Sequence, residues 1–156
     1  MIWKTLIIPA VTIGVALLGS SYTSAGMDWY KTINLPSWTP PGSVIGTVWT
    51  LIFILATLSA ILARNYPGHK YAKRIPFIMG LFVANAMLNV GWSLIFFKLH
   101  LVGWAAWEAA FLGASVLAII AFLWPISRIA AYLLVPYAVW VAFATFLSAN
   151  VWWLNR

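Results

Sequence analysis

The chain has 156 residues, 64% of them hydrophobic and only 7% charged, with a mean hydropathy of +0.96. A water-soluble domain carries about 25% charged residues, so a soluble globular protein is excluded, and the length holds four to six membrane spans of about 20 residues each. Nine Lys and Arg against two Asp and Glu give a net charge of +7; the basic residues gather between apolar runs, which marks loops facing anionic headgroups and not a nucleic-acid surface. Cysteine is absent, which excludes disulfides, thiolate metal sites and a cysteine nucleophile.

The first apolar run covers Ile2–Thr23, with Lys4 near its start. It imitates a signal peptide but lacks an A-x-A cleavage pattern, so it reads as a retained span. The connector Ser24–Ser43 holds Lys31 and the stretch Leu35-Pro36-Ser37-Trp38-Thr39-Pro40-Pro41-Gly42. Each proline lacks an N–H and restrains the residue before it, so this stretch is not a continuous helix. It is expected to form a semi-rigid cap over one end of a bundle, with Trp38 as a lid residue or as an anchor of the lid.

The second run, Val44–Ala63, carries Trp49 near its mouth. The connector Arg64–Arg74 is strongly basic and turns at Pro67-Gly68. The third run, Ile75–Phe97, shows Asn85, Asn89, Trp92 and Ser93 at i, i+4, i+7 and i+8, which is one helical face. Polar groups on that face serve either interhelical hydrogen bonds or a polar spot in a ligand pocket. Gly80-x-x-x-Ala84 permits close helix contact, within the bundle or between two copies.

The fourth run, Val102–Trp124, contains Glu108, the one acidic residue inside a span, on a face with Trp104 and Phe111. An intramembrane carboxylate is a functional candidate; its position near the Lys98–Leu101 connector favours snorkelling to the interface or pairing with Lys98, His100 or Arg128. The fifth run, Ile129–Trp153, places Tyr137, Trp140, Ala144 and Leu147 on one face, and Pro136 is expected to bend it. That face reads equally as packed core or as a pocket wall. Trp3, Trp29, Trp152 and Trp153 lie near span ends and read as interfacial anchors; Trp104 and Trp107 are divided between that role and the pocket. Trp49, Trp92 and Trp140 lie deeper, where an indole N–H needs a protein partner or a cavity. His69 and His100 fall in connectors on opposite sides, and no metal motif is present.

Five spans make an all-α membrane bundle, a single domain over residues 1–156. Lys4, Arg64, Lys70, Lys73, Arg74 and Arg128 collect on one side and Lys31, Lys98 and Arg156 on the other. Positive-inside counting then puts the N-terminus in the cytoplasm.

Together and in order, Leu35-Pro36-Ser37-Trp38-Thr39-Pro40-Pro41 with Trp49, Asn89-x-x-Trp92-Ser93-x-x-Phe96-Phe97, Gly103-Trp104, and Pro136-Tyr137-x-x-Trp140-x-x-Phe143-Ala144-Thr145-x-Leu147 resemble the tryptophan-rich sensory protein / translocator protein (TspO/MBR) family over nearly the whole chain. The resemblance implies a five-helix bundle, usually a homodimer, that binds porphyrins such as protoporphyrin IX in a pocket covered by the first loop. Animal relatives also bind cholesterol and benzodiazepine-type or isoquinoline carboxamide drugs. Asn89, Trp92, Trp104, Ala144 and Leu147 match family pocket positions, and Trp49 and Trp140 match the tryptophans linked to light-dependent porphyrin degradation. Glu108 stands where the animal relatives have Asp. Ala149 and Trp153 replace the Tyr and Arg of the proposed cholesterol motif, which weakens the case for sterol binding through it; Leu62…Tyr66…Lys70 fits the same loose pattern.

The expected site therefore comprises Trp38, Trp49, Asn89, Trp92, Trp104, Tyr137, Trp140, Ala144 and Leu147, with Lys31 meeting a propionate. The expected function is tetrapyrrole binding and sensing without a covalent cofactor, in the cytoplasmic membrane of a prokaryote, the outer membrane being the other choice. Transport of porphyrins or sterol-like lipids, and light-dependent porphyrin degradation through Trp49 and Trp140, are the alternatives. The expected partners are porphyrin, membrane lipid and a second copy of the chain.

Overall fold

The computed structural model describes residues 2–156, with side chains from residue 6 onward. Trp3 and Lys4, read above as an anchor and as part of the basic count, lie outside the described side chains. The described residues form α1 (Ile2–Tyr30), α2 (Gly42–Arg64), α3 (Ile75–Ser93), α4 (Val102–Leu123), α5 (Arg128–Leu133) and α6 (Val135–Leu154), with a 3₁₀ turn over His69–Arg74 before α3 and a π turn over Leu94–Lys98 after it. Five helical rods are long and apolar enough to cross a membrane. Helices are the expected solution there, because each satisfies its own backbone away from water.

The rods form a ring. α1 packs between α2 and α3, α3 packs on α4, α4 on α6, and α5 returns against α2. The most extensive contact is the α4–α6 seam. On α4 it is built from Ala105, Ala109, Leu112, Val116, Ile119 and Leu123, all buried and spaced four and three apart, so they share one face. Tyr137, Val141, Ser148 and Val151 answer from α6. Gly113 sits against this seam, where an added Cβ would lie 3.4 Å from Val141 Cγ1. Small residues let helices approach closely when no water-driven force holds them together.

Three expectations change. The first span does not end at Thr23: α1 continues to Tyr30. No proline lies between Thr23 and Pro36, and Gly26 is buried against the Phe97 backbone, where an added Cβ would overlap the carbonyl. The connector is therefore Lys31–Pro41, and it packs Ile33 and Leu35 against the Phe96–Phe97 cluster at the end of the bundle. It is a strap laid along α6. The Asn34 N–H donates to Asn155 Oδ1 (2.9 Å), and Asn155 Nδ2 donates back to the Asn34 carbonyl (2.8 Å). Further along, the Trp38 ring stacks on Phe146 (5.5 Å) and meets Phe143 edge-on (5.9 Å). Between these two anchors the strap turns at Ser37 and Trp38, where the Thr39 N–H and hydroxyl both donate to the Pro36 carbonyl (3.0 and 2.7 Å).

The fifth span is also two helices, not one bent helix. α5 ends at Leu133 and α6 restarts at Val135, with Pro136 in its first turn. A proline lacks the N–H that would continue the ladder but fits a helix start. Ser127 caps α5 by accepting from the Ala130 N–H (3.2 Å), and Ser59 of α2 donates to the Ala130 carbonyl (2.7 Å). This short helix is what ties α2 into the ring.

Candidate functional site

The polar face of α3 forms a hydrogen-bonded chain across three helices. Asn89 Nδ2 donates to the Tyr137 hydroxyl (3.1 Å), Tyr137 donates to Asn85 Oδ1 (3.0 Å), and Asn85 Nδ2 donates to Ser115 Oγ (2.8 Å). Ser115 in turn donates to the Leu112 carbonyl (2.7 Å). Asn85, Asn89 and Tyr137 are buried. In an apolar medium an unpaired amide or hydroxyl costs several kcal/mol, so this chain fixes the relative rotation of α3, α4 and α6. The two meanings left open for that face both apply: the groups bond between helices, and Asn85, Asn89 and Tyr137 also line a cavity. Ser115 was missed as a participant. Its signal was a lone hydroxyl in an apolar run.

Of the deeper tryptophans, Trp49 and Trp140 pack against the core cluster that holds Tyr137, and Trp92 against Phe96 and Phe97. Trp49 meets Tyr137 edge-on (5.9 Å) and leans on Phe53 (5.7 Å). Trp140 leans on Phe143 (5.2 Å), which also receives Trp38. Trp92 stacks on Phe96 at 5.0 Å and meets Phe97 edge-on at 5.9 Å. The π turn allows that second pair, since it brings the adjacent Phe96 and Phe97 inward together, and both are buried. Leu147 packs against the Phe96–Phe97 cluster, and Ala144 is half-buried between Trp140 and Leu147 on α6. The indole Nε1 atoms of Trp92 and Trp140 are buried without a hydrogen-bond partner among the described residues. Native structures rarely leave such donors unmade.

One expected site member, Trp104, stands elsewhere, and Glu108 is not where its position suggested. Trp104 is 69% exposed and lies on the outer surface of α4, beside Trp107, His100, Trp152 and Arg156. It faces away from the seam because Ala105 and Ala109 take the inward positions, so it does not join the other tryptophans. Glu108 neither snorkels nor pairs. Both carboxylate oxygens are buried without a partner, and an added Cβ at Gly91 of α3 would lie 3.9 Å from Oε1. Glu108 sits beside Ala105, Ala109 and Leu112, which turns its head toward α3. The one ion pair among the described residues joins Lys31 to Asp28 at 3.3 Å on the exposed end of α1, so Lys31 stands near the strap with a partner already. Trp29 is not a simple belt residue either: it stacks on His100 (4.0 Å) and meets Phe96 edge-on (5.6 Å). His100 has φ of 56°, in the left-handed region that His visits more readily than most residues; this permits the sharp reversal into α4.

A cavity of ≈ 350 Å³ lies between α1, α2 and α3. Asn85, Asn89 and Tyr137 form its polar wall, and Phe53, Ala56, Met79 and Phe82 much of the rest. Its lining includes none of the described tryptophans. Thr12 and Thr57 line it too and share a hydrogen bond of 2.8 Å that joins α1 to α2.

Comparison with known proteins agrees with the motif pattern. The family model described as TspO/MBR family matches residues 6–154. The chain is 32% identical over 152 residues to tryptophan-rich protein TspO of Bacillus cereus, covering 97% of each protein. It is 34% identical over 128 residues to the human translocator protein, covering 81% of this chain and 75% of that one. Protein CrtK of Rhodobacter capsulatus is 30% identical over 129 residues, covering 81% and 78%.

Proposed function

The chain belongs to the TspO/MBR family of integral, multi-pass membrane proteins, and we propose that it binds a free tetrapyrrole such as protoporphyrin IX and acts as a sensor of porphyrin metabolism. The observation that carries this reading is the pair of buried indole N–H groups, on Trp92 and Trp140, that lack acceptors. They flank the Asn89–Tyr137 cluster, on helices whose neighbouring faces carry Trp49, Ala144 and Leu147. A porphyrin is a wide aromatic plate with carboxylates at one edge. Indole faces stack on such a plate, and N–H donors meet its oxygen and nitrogen acceptors.

In this reading the strap controls entry. Trp38 rests on Phe143 and Phe146, beside Trp140, and the Asn34–Asn155 pair anchors the strap at the far end. A ligand reaching Trp140 displaces Trp38 before it displaces that anchor. The homodimer implied by the family has an available surface on α3, where Gly80 and Ala84 are exposed and nothing lies within 4 Å of a Cβ added at Gly80. We place the protein in a prokaryotic cytoplasmic membrane with its N-terminus inside, on the charge asymmetry of the connectors.

Titration with protoporphyrin IX should quench the tryptophan fluorescence saturably, and Trp49→Phe with Trp140→Phe should weaken binding about tenfold, the sum of lost stacking area and one lost donor. Unchanged affinity in the double variant would overturn the site. A second reading, translocation of the same ligand, takes its support from the name of the human relative. Porphyrin flux across proteoliposomes separates the two.

A further inference from the structure

The cavity between α1, α2 and α3 is poorly shaped for a plate. Its walls run from Ile7 to Val15 on α1, from Phe53 to Arg64 on α2 and from Met79 to Asn89 on α3. At 1.5 Å per residue that is a slot about 15 Å long. Walled along its length by three helices, it is elongated parallel to them, the form of a polymethylene chain lying along the bundle. The outer edge opens sideways: Ile7, Val11 and Val83 line the slot and are exposed on the surface that faces lipid. The polar groups at its inner end are already bonded to one another, Thr12 to Thr57 and Tyr137 to both asparagines, so much of the wall's polarity is satisfied without an occupant.

The mouth carries a charge. Arg64, at the last residue of α2, is exposed and lines the slot. The described residues give its guanidinium no carboxylate, since their one ion pair lies at the opposite end of α1. The neighbouring basic residues Lys70 and Arg74 are drawn onto the Tyr71 ring, at 5.1 and 5.4 Å from its centre. Among the described residues Arg64 is the basic side chain that lines the slot itself, and a guanidinium takes phosphate through paired N–H donors.

We infer that this slot holds one acyl chain of an anionic phospholipid from the leaflet at the basic end, with the headgroup phosphate on Arg64. Shape selects a chain, the lateral opening selects a molecule already in the bilayer, and Arg64 selects a negative head. The inference goes beyond tetrapyrrole binding; the slot shares Asn89 and Tyr137 with that site, and its test turns on neither.

Native mass spectrometry of the full chain in detergent, with dioleoylphosphatidylglycerol and dioleoylphosphatidylcholine at equal concentration, tests it. Phosphatidylglycerol should be retained about fivefold better, the preference of roughly one basic side chain at the surface. Arg64→Gln should abolish that preference and leave phosphatidylcholine retention and protoporphyrin IX absorbance unchanged. A phosphatidylglycerol carrying a diazirine in its chain should label Phe53, Met79 or Phe82 in the unaltered protein, a readout that needs no variant to fold. Equal retention of the two lipids, an unaltered preference in Arg64→Gln, or labelling confined to outward residues such as Leu117 and Val139 would overturn it. So would retention of oleate or of a sterol in place of the phospholipid.

Discussion

The α4–α6 seam and the α1 flank are both helix contacts in one bundle, yet they are built on different principles. The seam is continuous: six buried positions run the length of α4 and meet Tyr137, Val141, Ser148 and Val151. α1 is 29 residues long, and Leu6, Ile7, Val11, Ile13, Leu17 and Leu18 are all at least half exposed. It is held at separate points, by Trp29 and Tyr30 on the Phe96–Phe97 cluster, by Gly26 on the Phe97 backbone, by Gly19 near Ser93 Oγ and by the Thr12–Thr57 hydrogen bond. In lipid an exposed leucine costs nothing, so a helix can be apolar all round and still be weakly docked. The difference teaches where the molecule can open. The seam holds the polar cluster still, and the slot lies on the α1 side.

The comparison breaks first at the seam. Leu112→Ala should destabilise the whole bundle by about 3 kcal/mol, from lost packing and the cavity left behind, measured by reversible unfolding in mixed micelles. A loss near zero would mean that the seam is not the core. Gly26→Val should cost about 2 kcal/mol by overpacking, but the damage should stay local. Hydrogen exchange should accelerate in α1 and leave α4 protected; uniform loosening would show that α1 is as integral as the seam. The smallest effect is expected for Thr12→Val, about 0.6 kcal/mol, an ordinary value for a hydrogen bond between helices in a membrane. Its use is to sharpen the picture, because losing one of the few ties of α1 should speed lipid exchange at the slot more than it lowers stability.

Much of this was legible in the sequence because it depends on local chemistry. Asn85 and Asn89 lie four residues apart, which fixes them on one face, and their apolar surroundings required bonding partners. The resemblance placed Trp49, Trp92, Trp140, Ala144 and Leu147 in one pocket; in the structure Trp49 and Trp140 pack against the cluster that holds Tyr137, and Trp92 and Leu147 against Phe96 and Phe97. Trp104 and Glu108 were misplaced for one reason. Helical spacing says which residues share a face but not which way that face points, and residues at the border of two faces are decided by the neighbouring helix. For Glu108 that neighbour is α3 at Gly91. The slot was invisible for a similar reason: Ile7, Phe53 and Met79 are ordinary apolar residues until three helices leave a gap between them.

The sequence by itself determined that the chain is a membrane bundle of five spans, where its basic loops fall and which polar residues must be paired, because hydropathy, charge and period act over a few residues. Only the tertiary structure decided that the proline-rich connector is a strap along α6, that the fifth span is two helices, and that the cavity has Arg64 at its mouth and none of the described tryptophans in its walls. Those outcomes depend on contacts between residues far apart in the chain, such as Asn34 with Asn155, where packing chooses among arrangements that the local chemistry leaves equal.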